Sequence, residues 1–475
     1  MVSLPEEEQR RVVADCFART GLTVEQLWLR YFALGGGVTE LELDAFLQGL
    51  MTLPRIQRDM VAHAVNERLE EVTGLRQAPY SQKADGPSRS RGPLAALVDL
   101  LAGAHRVAPE RLPAVIATAS RALDLDVTVY LADYEQRSLL PLDGDGVPVR
   151  VPLDIESSAA GRAYQQAGSV LTEEPEGSRL WNILLDGEER MGVLEIAAGD
   201  EADLRDPALR DQCRWLASLA GHLIAAAMRY GDALDTVRRR HPRGPTAELL
   251  WQNLPPLTAA TGSIVVAGGL EPAYDVRGAT FDYAISESTA WLAIFDAGRD
   301  TESAGLVVSA VLAAYRSARR DGLDLSGQEA AVDKVLSTQF GGDHTVRGTL
   351  AELDLADGVL RYLEAGLEAP LVVGEDHEQG SLDGGRRQPF GAGPAARIAT
   401  ARLRPGDLLV LHTEGVSKAR TTEGGRFSLA ECLDDNAGQL PPETTRRVLR
   451  AVKSHCHNTF TDDAGLLVAR WRGRA

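Results

Sequence analysis

Cysteine is scarce in this chain: Cys16, Cys213, Cys432 and Cys456 are the four present among 475 residues, and they stand far apart. No two have the spacing of a thiolate metal site or a small disulfide framework, so the sequence predicts a reduced, cytoplasmic protein. Long apolar runs are also missing. None approaches the ~18–20 residues of a membrane span, and the opening MVSLPEEEQRR is acidic and polar, unlike a secretory signal. Positive charge is in short supply: 50 Lys and Arg face 68 Asp and Glu, a formal net charge of −18. That balance argues against nucleic acid or an anionic membrane as the main partner, since both call for a basic face. What is present is ordinary for a globular protein, with 44% hydrophobic and 25% charged residues. The length suits two to four domains, each with its own core.

Residues 1–72 read as an all-helical module. Thr23-x-x-Gln26 and Thr39-x-x-Glu42 are capping-box signatures ahead of apolar runs. Gly35-Gly36-Gly37 breaks the helix that ends at Leu34, and Pro54 suits the first turn of a third helix running to about Glu71. Trp28, Tyr31, Phe32, Phe46 and Leu50 are the expected apolar seam. Three such short helices bury little alone, so the module is expected to pack, dimerise or dock a partner. Residues 73–93, rich in Gly, Pro and Ser and carrying Lys83, Arg89 and Arg91, read as a flexible linker.

Residues 94–230 alternate helical and strand-like segments. Strands are expected at 127–131 and 147–151 and a helix at 158–167, followed by a hairpin of 179–185 with 190–197 across Asp186-Gly187. Val129-Tyr130-Leu131-Ala132-Asp133, Ala160-Gly161-Arg162-Ala163-Tyr164 and Arg190-Met191-Gly192-Val193-Leu194 resemble the corresponding segments of GAF domains, the small sensory modules of bacterial signalling proteins. The resemblance implies either a small-ligand sensor or a ligand-free dimerisation scaffold. From Asp206 a long helix places Leu209, Cys213, Leu216, Ala220, Leu223 and Ala227 at steps of four and three. That stripe suits a parallel coiled coil in a homodimer, or a single helix packed on its own domain. Residues 231–246, with the basic run 238–243, read as a second linker.

The stretch 271–301 carries the chemistry. Two strand-like runs, 281–285 and 291–295, are joined by the turn Ser286-Glu287-Ser288, with Asp275, Asp282, Asp296 and Asp300 at their edges. Carboxylates gathered by neighbouring strands suit hard divalent cations, and two such ions about 3.5–4 Å apart can activate a water for attack on phosphate. Downstream, helices at 304–320 and 323–338 are followed by strands at 347–355, 359–364, 371–373 and 408–411. His455-Cys456-His457 reads as a helix end, because adjacent side chains on a regular element cannot all face one ion.

From about 247 to 471 the order and spacing of blocks resemble the SpoIIE-type branch of the metal-dependent serine/threonine phosphatases, the phosphatase 2C fold, which includes RsbU-like proteins. Arg277-Gly278-Ala279-Thr280-Phe281-Asp282 stands where that family has Gly-Gly-Asp-x-x-Asp. Asp296 keeps its place, whereas Ala297-Gly298-Arg299-Asp300-Thr301 replaces a glycine-flanked His or Lys loop. Glu364-Ala365-Gly366-Leu367 stands for Asn-Ala-Gly-His, and His412-Thr413-Glu414-Gly415 covers the Thr-Asp-Gly block. Thr461-Asp462-Asp463-Ala464-Gly465 keeps both aspartates and loses the threonine.

The resemblance implies an α+β multidomain chain: the helical module, a GAF-like domain, and an α/β/β/α sandwich over 247–475. It implies Asp296, Glu414 and Asp462 as ligands of Mn or Mg, with Ala279 replacing an expected ligand. Asp282 lies three residues along the strand and so faces the other side. The expectation is therefore a signalling regulator with a degenerate site, a pseudophosphatase that holds metal weakly or not at all. Its implied partner is a STAS-type anti-anti-sigma protein or another signalling protein in a partner-switching pathway. The alternatives are an active phosphatase using Asp282, Asp296, Glu414 and Asp462, and a ligand-gated GAF interaction protein.

Overall fold

The structure is a computed structural model that describes residues 6–72, 92–142, 151–174, 177–199, 204–298, 303–374, 378–421, 423–436 and 438–473. It divides into two compact units, Met1–Ser90 and Arg91–Ala475. No helix among the described residues is long and apolar enough to cross a membrane.

In the first unit the described residues form four helices, α1 (Glu6–Thr20), α2 (Val24–Ala33), α3 (Glu40–Leu47) and α4 (Arg55–Val72). Both capping boxes are built, Thr23 with Gln26 and Thr39 with Glu42, and they satisfy amides that a helix start leaves without partners. Tyr31 and Phe46 are buried with Leu27, Leu43, Val61 and Val65. Two seam positions are corrected: Phe32 and Leu50 are 59% and 76% exposed. A fourth helix, α1, contributes Val13 and Cys16 to that core.

The second unit opens with α5 (Pro93–Ala104) and α6 (Leu112–Ser120), then β1 (Leu125–Ala132), β2 (Ser138–Leu142), β3 (Leu153–Asp154), α7 (Ala159–Gln166), β4 (Ser169–Glu174), β5 (Gly177–Asp186) and β6 (Glu189–Ala198). The six strands pair antiparallel in the order β3-β2-β1-β6-β5-β4. The strand expected at 147–151 falls almost entirely outside the described residues, as do 73–91 of the first linker.

Helix α8 (Pro207–Ala227) starts at the N-cap Asp206. Its stripe of Cys213, Leu216, Ala220 and Ala227 is buried in the same core as Leu180 and Leu184 of β5 and Leu194 and Ile196 of β6. This corrects the coiled-coil expectation, because the apolar face is covered by the domain's own sheet. The second linker is also more ordered than expected. Arg238 ends the short helix α9 (Ala233–Arg238), is buried, and donates from Nε to the Ala132 carbonyl at 2.8 Å. Arg243 lies over the rings of Tyr134 and Trp251, 3.9 and 4.4 Å from their centroids.

The remainder runs α10 (Pro245–Asn253), β7 (Thr258–Ala260), β8 (Ile264–Glu271), β9 (Ala279–Ile285), β10 (Thr289–Asp296), α11 (Ala304–Arg320), α12 (Leu325–Gln339), β11 (Arg347–Asp354), β12 (Val359–Ala365), β13 (Leu371–Val373), β14 (Gln379–Ser381), β15 (Arg386–Arg387), β16 (Ala399–Arg402), β17 (Leu408–His412), α13 (Glu414–Ser417), α14 (Leu429–Asp434), α15 (Pro441–His455) and β18 (Ala464–Trp471). One sheet is ordered β15-β12-β11-β10-β9, with β16 also on β12, and the other β14-β13-β17-β18-β8-β7. The strands read as continuous apolar runs because both faces are covered. Ile264, Val266, Leu409, Leu411 and Leu467 of one sheet share a core with Phe281, Ile294 and Leu350 of the other. Helices α11 and α12 cover one outer face and α15 the other, so this part is an α/β/β/α sandwich. The sandwich brings the ends of β8, β10 and β17 and the starts of β9, β11 and β18 to one edge.

Candidate functional site

Asp296 is the last residue of β10, a strand whose buried Leu292-Ala293-Ile294-Phe295 run holds it inside the sheet. Its register places it directly opposite Ala279 of β9 on one side and Arg347 of β11 on the other. Directly opposed residues on paired strands point to the same face. The three side chains therefore share one surface.

The backbone around them is tightly pinned. Asp463 is fully buried, and its Oδ2 accepts from three consecutive amides, Arg277, Gly278 and Ala279, at 2.8, 2.7 and 3.1 Å. The Asp463 carbonyl accepts from Thr413 Oγ1 at 2.6 Å, and that hydroxyl oxygen accepts from the Gly465 amide at 2.8 Å. Gly278 is required by close approach, since a Cβ there would lie 2.1 Å from the Gly298 carbonyl oxygen. Gly465 packs on Thr413 and Leu270, and a Cβ would meet the Thr413 methyl at 3.0 Å. The threonine of the family pattern has little room there.

Into this edge Arg347 projects a guanidinium. Its Nη2 donates to Asp296 Oδ2 at 2.8 Å, its Nη1 donates to Glu414 Oε2, and Nη2 lies 4.0 Å from Asp462 Oδ1. Asp296 Oδ1 accepts from the Gly298 amide at 2.8 Å, and Glu414 Oε1 accepts from Lys418 Nζ. Both oxygens of Asp296 and of Glu414 are thus engaged. Burial pushes the Asp296 carboxyl up to about 6, against the lowering effect of Arg347 and the Gly298 amide, while Asp462 and Asp463 push it further up.

The structure thus gathers three of the four expected ligands, Asp296, Glu414 and Asp462, around one cation. Asp282 is elsewhere. It faces α11, where Arg316 and Arg319 each reach one of its oxygens at 2.6 Å. Its assignment as a ligand is corrected by strand parity, since it lies an odd number of residues from Ala279 along β9. Ala279 is fully buried and presents only its methyl group beside Asp296. Arg277 pairs with Asp275 at 3.2 Å, whereas residues 299–301 lie outside the described residues. At the rim, Leu367 is buried in the sandwich core and Glu364 lies 3.6 Å from Arg386. Arg347 was missed by sequence reasoning. Its signal is a charged residue at the first position of a strand, legible once the β10–β11 register is known.

Residues 286–472 match the family model of stage II sporulation protein E. This part of the chain is similar to the SpoIIE domain. Its sandwich is similar to the RsbU and RsbW domains of a Mycobacterium tuberculosis protein, at 22% identity and a TM-score of 0.39, over 45% of this chain and 62% of that one. The phosphatase domain of Bacillus subtilis SpoIIE with a fragment of its regulatory domain matches at 16% identity and a TM-score of 0.38, over 44% and 65%. The SiaA phosphatase domain of Pseudomonas aeruginosa matches at 19% and 0.39, over 44% and 85%. The chain therefore spans less than two thirds of the length of the first two. No curated protein matches it.

A pair of divalent ions, as the SpoIIE resemblance implies, needs several free carboxylate oxygens converging on open space. Here Ala279 supplies none, Asp282 is turned away, and Arg347 fills the space between the other three. Among the described residues no group of three or more His, Cys, Asp or Glu side chains is arranged to hold a metal ion. The residues present do not fit the metal pair.

Proposed function

We propose that this protein is a signalling regulator whose SpoIIE-type domain acts by binding rather than by hydrolysis, as a pseudophosphatase. The observation that carries the reading is the Arg347 guanidinium among Asp296, Glu414 and Asp462, with the Ala279 methyl group on the same face. A positive charge fixed between the carboxylates opposes a dication electrostatically and occupies its space. The domain keeps a well-packed sandwich and an intact backbone frame around the site, which suits a surface for a protein partner. In line with the family resemblance, the partner is a STAS-type anti-anti-sigma protein or a related signalling protein. Residues 94–230 serve as a GAF-like sensory module, supported by the six-stranded antiparallel sheet and its flanking helices.

The test is turnover of a phosphoserine peptide by the full chain with Mn²⁺. No turnover above the uncatalysed background is expected, whereas a rate near 1 s⁻¹, ordinary for an enzyme, would reject the proposal. Capture of a purified STAS-type protein, undiminished by EDTA, is the matching positive result.

A further inference from the structure

We infer that Arg347 is the resident cation of this acidic centre: a tethered guanidinium that does the charge balancing a bound ion would do. The inference rests on the binding reading above and adds what keeps the degenerate site folded.

Three observations lead to it. First, the carboxylates need a cation. Asp296 is 1% exposed, Glu414 is largely buried, and Asp462 lies 4.0 Å from the same guanidinium nitrogen as Asp296. Like charges that close, partly removed from water, repel strongly unless a positive group sits between them. Second, Arg347 matches that need in geometry. Its two terminal nitrogens reach two different carboxylates, and the planar, always-protonated fork suits this bridging role. Third, its position is set by the fold, because Arg347 starts β11 directly opposite Asp296 in register. An arginine held by its own strand cannot dissociate, so the centre keeps its charge balance without drawing on ions in solution. Lys418 on the far oxygen of Glu414 adds a second fixed positive charge.

Thermal melting of the full chain tests this, with Mn²⁺ compared against KCl of equal ionic strength, so that screening is separated from binding. The wild type is expected to melt at the same temperature in both. Arg347→Met keeps much of the side-chain volume and removes the charge; it should lower the midpoint by on the order of 5 °C. Adding Asp296→Asn to Arg347→Met should recover at least half of that loss, which packing alone would not do. Arg347→Ala opens the space, and Mn²⁺ but not KCl should raise its midpoint progressively with concentration. If Arg347→Ala folds only when Mn²⁺ is present, the inference is likewise supported. A wild type stabilised by Mn²⁺ as strongly as Arg347→Ala would overturn it. So would a double variant no more stable than Arg347→Met, or an Arg347→Ala chain indifferent to Mn²⁺. Mn²⁺ binding by the wild type without turnover would sink only this inference, whereas turnover would sink the binding reading itself.

Discussion

Asp463 holds three consecutive amides on a single carboxylate oxygen, and those amides form the turn that leads into β9. Charged hydrogen bonds of this kind each contribute about 1.5–3 kcal/mol, and buried amides left without an acceptor add to the loss. Asp463→Ala should therefore destabilise the domain by about 3 kcal/mol or more in urea unfolding, and a loss below about 1 kcal/mol would contradict the frame described. Ala279→Asp places another buried carboxylate beside Asp296 while Arg347 still fills the space. It is expected to lower stability and to leave the chain inactive with Mn²⁺; activity restored by this change alone would show that Arg347 does not obstruct the centre. Much of this was legible residue by residue. Asp296, Glu414 and Asp462 come together as their motif positions suggest, and the parity of β9 turns Asp282 away. Arg347 was not legible, because its proximity to Asp296 is a cross-strand pairing over 51 residues of sequence, and no local pattern encodes that register.

At the scale of elements, local signals performed well wherever one chain segment determines its own geometry. Helix α11 begins and ends where its apolar stripe does, and both capping boxes form. Signals that depend on a partner surface were ambiguous. The stripe on α8 has the spacing of a coiled-coil seam, and the sheet of its own domain covers it. Helix α15 shows a second partnership invisible in sequence. Its Lys453 pairs with Glu271 of β8 at 3.0 Å and with Glu135, which follows β1, and all three side chains are largely buried. Lys453→Met leaves two buried carboxylates unpaired, and a loss of about 3 kcal/mol in chemical unfolding is expected; a neutral result would mean that water already reaches this cluster.

Glu189, at the start of β6, accepts from the Thr258 amide of β7 at 2.8 Å, and burial pushes its carboxyl up to about 7. The folded state thus keeps a proton that the unfolded chain loses near its ordinary value of 4.5. Between those two values folding takes up a proton, so stability is greatest at the acidic end and declines as pH rises toward 7. Glu189→Gln should flatten the melting midpoint between about pH 4.5 and 7, and an unchanged slope would assign the pH dependence to other groups.

For the molecule as a whole, the described residues of the second unit build large apolar cores from their own side chains. A polypeptide of residues 92–475 is accordingly expected to fold on its own, with a cooperative thermal melt; a chain that shows no such transition would contradict this. The α+β character and the SpoIIE-type sandwich were readable from block order and apolar runs, since both depend on strand and helix patterning that persists when site residues change. Whether the site works was less readable, because it turns on which side chain fills the space between carboxylates. The most direct measurement is Mn²⁺-dependent hydrolysis of a phosphoserine peptide by the unmodified full chain. No turnover above background is the result the account predicts; sustained turnover near 1 s⁻¹, abolished by Asp296→Asn, would contradict it.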